Sequence, residues 1–243
     1  MPAPSPDRFP RSATYDLDWV RSLDMGPHPL WQLEDLLSSM ALPAGCRVLD
    51  LGCGRGATSV FLARELGATV TACDLWVGEE EMGRTMRGAG VEGSVRVVNA
   101  DARDLPFEDD EFDAVVSIDA FEYFGTDVHL LPSLLRVLRP GGHVGMTTPA
   151  LRTDPYDQPP PAHVSQVVGW EAAAWHSPQW WTTHWERSGL VTDIHGSMQR
   201  DGFASWVAWC ELVGEPPTDP VPTMLATDGG EQLGFAMVHA TKL

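Results

Sequence analysis

The sequence predicts an α/β protein with a doubly wound sheet, and three observations carry that prediction. Short apolar runs at 46–51, 69–73, 94–98, 112–118 and 143–148 alternate with segments of helical spacing. A glycine-rich turn, "DLGCGRGA", joins the first run to the next helical segment. Three of the runs end in or just before an acid: Asp50, Asp74 and Asp101.

Taken in order, the first fifteen residues are polar and proline-rich and read as a loose arm up to "YDLDWV". Leu30, Leu33, Leu37 and Met40 then share one face of a helix that reaches Ala41, where "LPAG" stops it. Residues 1–41 are thereby expected to form a helical cap. Leu130, Leu131, Leu134, Leu135 and Leu138 mark an interior helix that halts at "RPGG", where Pro140 cannot continue it. Beyond Pro149, "RTDPYDQPPPAH" holds too much proline for a helix or central strand, so 149–188 is expected to be a substrate-side insertion, largely a surface excursion. Within it, "SPQWWTTHWERSG" predicts a helix with Ser177 as its cap, Pro178 in its first turn and Gly189 as its stop. A strand near 190–195, a helix over "DGFASWVAWCELV" and a last strand over "EQLGFAMVHATK" complete one domain spanning 1–243.

Composition narrows the function. The net charge of −18 opposes a polyphosphate backbone, which basic groups must neutralise, so a nucleic-acid partner is not expected. No run of eighteen apolar residues predicts a membrane span, and the amino terminus lacks the apolar core of a signal peptide, so the expected location is cytoplasmic. Cys46, Cys53, Cys73 and Cys210 form no CxxC pair and read as reduced core thiols.

The glycine loop formally satisfies the dinucleotide pattern through Gly52, Gly54 and Ala57, so the pattern alone leaves two ligand classes open. Asp50, two residues before the first glycine, is expected to face the ligand, where its carboxylate would repel a pyrophosphate. A nucleoside with an ammonium and a sulfonium and no phosphate suits that place better. S-adenosyl-L-methionine is such a ligand, and its carboxylate can meet the helix amino terminus near Ala57. Asp74 follows Gly52 by 22 positions, near the separation of about 20 expected of an acid that accepts from ribose hydroxyls. Leu75 and Trp76 can pack on an adenine face, and Asp101 with Ala102 can meet its edge.

"VLDLGCGRG", "VTACD", "NADARDLPFEDDEFDAVVSIDAFEYF" and "LLRVLRPGGHVGM" resemble the successive motifs of class I S-adenosylmethionine-dependent methyltransferases, over roughly residues 46–148. The resemblance is to the small-molecule branch that includes quinone C-methyltransferases and cyclopropane-fatty-acid-synthase-like enzymes. It implies a mostly parallel, seven-stranded, Rossmann-like sheet whose last strand is antiparallel. It also implies that Asp50, Gly52, Cys53 and Gly54 flank the methionine part of S-adenosyl-L-methionine, that Asp74 holds the ribose, and that Asp101 and Ala102, beside Leu75, hold the adenine. S-adenosylhomocysteine would be the product.

Methyl transfer is an in-line displacement that needs alignment, exclusion of water and, for some acceptors, a base. Position after the fourth strand selects Asp119, Glu122 and Tyr123, with Asp119 beside the donor and Glu122 as base or cation stabiliser. His163 and His176, in the excursion, rival Glu122 as base. Trp181 with Trp185, and Trp206 with Trp209, have the spacing of helices packing on a core, whereas Trp170 and Trp175 are expected to wall an apolar or aromatic substrate. His163, His176, His184 and His195 match no metal-ligand spacing, so no metal is expected. The expected activity is methylation of a small, apolar or aromatic metabolite at carbon or oxygen. Two alternatives stay open: a non-methylating enzyme of pericyclase or decarboxylase type on the same fold, and a non-catalytic protein that binds the same cofactor. The acceptor and the oligomeric state are open at this level.

Overall fold

In the computed structural model, residues 7–214, 216 and 218–243 are described. The strands are β1 (Arg47–Leu51), β2 (Thr69–Asp74), β3 (Val95–Asn99), β4 (Phe112–Ile118), β5 (Leu138–Leu151), β6 (Val191–Met198) and β7 (Leu233–Lys242). They form one seven-stranded sheet in the order β3-β2-β1-β4-β5-β7-β6. β7 runs antiparallel to both β5 and β6, while β1 to β5 pair in parallel. The order reverses between β1 and β4, the position where open α/β sheets leave a crevice at their carboxyl edge.

Ten α-helices accompany the strands among the described residues: α1 (Leu17–Ser22), α2 (Pro29–Ser39), α3 (Ala57–Leu66), α4 (Glu79–Ala89), α5 (Phe121–Phe124), α6 (Leu130–Arg136), α7 (Ala162–Val168), α8 (Pro178–Ser188), α9 (Gly202–Val213) and α10 (Val221–Asp228). Alternation along the strands divides the core between the two faces of the sheet. Val48, Val70 and Ala72 pack with Leu30, Leu33 and Leu36 of α2, Phe61 of α3 and Met86 of α4. Leu49, Val115 and Met146 face the other way, onto Leu131, Leu134 and Leu135 of α6 and Trp181 and Trp185 of α8.

The α8 helix forms for the reasons its sequence states. Ser177 Oγ accepts from the Trp180 N–H at 3.2 Å, Pro178 occupies the first turn, and Gly189 takes φ +66° at the stop. Its i, i+4 pair Trp181 and Trp185 is about 1% exposed and meets Phe121. Truncating either indole should cost about 3–5 kcal/mol. Trp206 and Trp209 of α9 are also buried.

Three expectations are corrected. Residues 1–6 lie outside the described residues, but 7–15 are not a loose arm. Phe9 is buried and stacks on Trp31, Arg8 pairs with Asp35, and Ser12–Thr14 form a 3-10 turn held by Glu34. Strand β5 begins at Leu138 rather than 143, because Leu138 pairs with Phe112 across a register shift. The excursion is not irregular throughout: its proline-rich run ends at Pro161, and 162–174 then form α7 and a 3-10 helix (Gly169–Ala174). Helix α10 carries no apolar periodicity strong enough to announce it. All four cysteines are buried and free.

Candidate functional site

The loops that leave the carboxyl ends of β1, β2, β3 and β4 enclose one cleft with two connected hollows of about 120 and 160 Å³. Gly52, Asp74, Trp76, Ala120 and Tyr123 belong to both hollows and form the saddle between them.

The floor is the turn after β1. Gly52 has φ +72°, and a Cβ there would stand 2.4 Å from the Ala120 Cβ; Gly54 has φ +54°, and a Cβ would meet Met25 Sδ at 2.9 Å. Only glycine reconciles this backbone with its neighbours. Asp74 fastens the turn: Oδ2 accepts from the Gly54 N–H, and Oδ1 accepts from the Trp76 and Val77 N–H groups, each at 2.8 Å. Asp74 thus positions the glycine loop while lining both hollows.

The first hollow is the more polar of the two. Cys53, Ala57 and Thr58 come from the β1–α3 region, Ile118 and Asp119 from the end of β4, and Met25, Gly26, Pro27 and Pro29 from the amino-terminal segment. Asp119 adopts φ +54°, a left-handed conformation that non-glycine residues rarely hold. Its Oδ1 is buried without a hydrogen-bond partner, and burial with the nearby Glu122 and Asp24 carboxylates pushes its carboxyl well above the usual range. Arg55 also lines this hollow, but Nε is engaged by Glu81 at 2.9 Å and Nη1 donates to the Asp24 carbonyl at 2.9 Å.

The second hollow is mostly apolar, walled by Leu51, Cys73, Leu75, Ala100, Ala102 and Phe124. Asp101 borders it, with its carboxylate clamped bidentately by Arg103 at 2.6 and 2.9 Å, which holds it below the ordinary acid range. Trp76 is 66% exposed at the rim and meets the Tyr123 ring edge-on at 4.8 Å.

Other expected site residues sit elsewhere. Asp50 is not at the mouth of the cleft. It is fully buried beneath the loop, where Oδ2 accepts from Thr58 Oγ1 at 2.7 Å and Ser59 Oγ at 2.5 Å, and desolvation raises its pKa to about 6. The pyrophosphate-repelling role expected of it fails on that geometry, and its hydroxyl partners show that it anchors the start of α3.

Glu122 is 5% exposed and lines neither hollow; it accepts from Thr148 Oγ1 at 2.6 Å, and burial raises its pKa to about 7. Tyr123 does line the cleft, and its hydroxyl donates to Glu171 at 3.3 Å.

His163 is remote from both hollows. Its Nε2 lies 3.0 Å from Asp228 Oδ1, and Asp228 also accepts from the Gly230, Gln232 and Leu233 N–H groups, so the pair ties α7 to the α10–β7 turn. His176 is buried against Asp154 at 3.2 Å and stacked on Trp180. Trp170 is 75% exposed, and Trp175 packs on Trp206 in the core; neither walls the cleft. Sequence reasoning missed Arg55, Arg103, Phe124 and the 23–29 segment as cleft walls. Arg55 stood in plain view inside "GCGRG", whereas the 23–29 contacts are long-range and leave no local pattern.

Residues 48–142 match the family described as a methyltransferase domain. This segment belongs to that family. The methyltransferase domain is 43% identical over 122 residues to a demethylmenaquinone methyltransferase of Clavibacter sepedonicus, a match covering 50% of this chain and 48% of that protein. The chain spans less than half the length of the first curated relatives it matches. Among solved structures, a geranyl diphosphate C-methyltransferase of Streptomyces coelicolor A3(2), crystallised with S-adenosyl-L-homocysteine, aligns at TM-score 0.72 and 17% identity over 99% of this chain and 100% of that one. The 4+2 cyclase SpnF aligns at TM-score 0.67 and 19% identity over 100% and 97%. These likenesses establish that the methyltransferase domain and its flanks share the Rossmann-like fold. Among the described residues, no helix is long and apolar enough to cross a membrane.

Proposed function

We propose that this chain binds S-adenosyl-L-methionine across both hollows and methylates a small, apolar or aromatic molecule, releasing S-adenosylhomocysteine. The observation that carries the proposal is the division of one cleft at Asp74 into a hollow lined by the Asp74 and Asp119 carboxyls and a more apolar one, with the cleft arginines Arg55 and Arg103 each already paired to an acid. Asp119 supports the fit: its buried oxygen lacks the hydrogen-bond partner that an ammonium would supply, and a cation there would offset the burial that disfavours its charged form. Glycines 52 and 54 leave the floor open where a side chain would fill it.

In this reading Gly52, Cys53, Gly54 and Asp119 flank the methionine part, Asp74 takes the ribose, and Leu75, Ala102 and Phe124 enclose the adenine, with Asp101 at its edge. The bound donor supplies a methyl on a positively charged sulfur. The chain supplies position and dryness. Residues 23–29 roof the polar hollow, supporting a capping role for 1–41, while Trp76 and Tyr123 offer an aromatic rim for the acceptor. Residues 149–188 reach the site through Glu171, which fixes the Tyr123 hydroxyl. Glu122 lies behind that rim and sets its charge balance, and His163 has no part.

Incubating candidate acceptors with methyl-labelled donor tests the proposal. Label recovered in the acceptor, with S-adenosylhomocysteine formed in equal amount, is expected. A rearranged or cyclised product without label would instead favour the non-methylating alternative.

A further inference from the structure

His195 and His239 stand 44 positions apart in the chain, yet the antiparallel register of β6 and β7 makes them direct partners. Their side chains therefore project from the same face of the sheet, and their ring centres lie 5.0 Å apart with planes inclined by 33°. They open into a groove lined by Ser39, Gly196, Ser197 and Met237, which shares no residue with the cleft.

We infer that His195 and His239 form a two-histidine chelate for a divalent transition-metal ion, separate from the methyl-donor site. Two imidazoles sharing one ion at the usual zinc–nitrogen distance of about 2.0–2.1 Å and a tetrahedral angle place their ring centres roughly 5 Å apart. The pair already has that separation. The strands hold both backbones, so little order must be gained on binding.

Donor chemistry selects the ion. Imidazole suits zinc, copper and nickel, whereas calcium and magnesium require oxygen ligands. The overall charge of −18 raises the local cation concentration. No third His, Cys, Asp or Glu joins the pair among the described residues, so water completes the coordination and the site is weaker than a closed structural one.

The test is calorimetric titration of the untagged full chain with ZnCl₂. One ion per chain is expected to bind, and His195→Asn and His239→Asn should each weaken it by at least about tenfold, the lower end of what a metal site loses with even a supporting partner. His129→Asn, outside the groove at the start of α6, should leave it unchanged. Zinc should also raise the unfolding temperature of the wild type and leave that of the His195→Asn/His239→Asn double variant unmoved. Absence of zinc binding, or binding that survives both single substitutions, overturns the assignment.

Discussion

The two sides of the cleft were built under different constraints. On the donor side, most walls other than 23–29 come from the carboxyl ends of parallel strands and from the turns and first helical residues that follow them, so a residue's place in the sequence largely fixes its place in the site. Gly52, Gly54, Asp74, Asp101 and Ala102 all reach the cleft as their strand ends require. On the acceptor side, position depends on the packing of α5 and the 149–188 insertion, and strand ends give no such guide. Glu122 turns inward to Thr148, His163 turns away to Asp228, and Trp175 enters the core. Fold topology therefore locates a donor site much more firmly than it locates a catalytic group.

Gly52→Val attacks the donor side hardest. The new side chain would stand against Ala120 in a left-handed backbone, a strain on the order of 1–3 kcal/mol, and would fill the saddle between the hollows. Titration with S-adenosyl-L-methionine should show no detectable binding, and near-wild-type affinity would break the comparison. Asp74→Ala comes next: it removes the proposed ribose acceptor and leaves the Gly54, Trp76 and Val77 N–H groups unpaired. Donor affinity should fall by about 1–3 kcal/mol. Unchanged affinity would remove Asp74 from the site.

Glu122→Gln sharpens the acceptor side, where the expected effect is on stability rather than donor binding. The folded protein raises the Glu122 pKa from 4.5 to about 7, so the fold favours the protonated acid. Its contribution is intact below pH 4.5 and is lost as pH rises toward 7. Gln keeps an acceptor for Thr148 and cannot ionise. Between pH 4.5 and 7 the wild type should lose roughly 2–3 kcal/mol relative to the variant, read from urea midpoints, with donor affinity nearly equal in the two proteins. Parallel stability profiles would contradict the burial of an ionisable group there.

Legibility in the sequence follows the same division. The sheet, its crossover helices and α8 could be read because apolar period, N-caps and glycine stops are local signals. The early start of β5 could not, since it depends on pairing with Phe112. Asp50 was misread from its strand position alone, although Thr58 and Ser59 in the first turn of α3 were the available sign that its partners lay below the loop. Tyr123 was placed beside the cleft by adjacency to β4, and it lines both hollows. His163 looked free because Asp228, its partner, lies 65 residues away. Phe9 and Ser12 were hidden in a polar, proline-rich context whose tertiary contacts with Trp31 and Glu34 override composition.

The central claim is that this cleft takes a phosphate-free, cation-bearing nucleoside. Parallel calorimetric titrations of the wild-type chain with S-adenosyl-L-methionine and with NAD test it most directly. One S-adenosyl-L-methionine should bind per chain, with NAD giving no saturable heat. Saturable NAD binding, or a cleft that takes up neither compound, would contradict it.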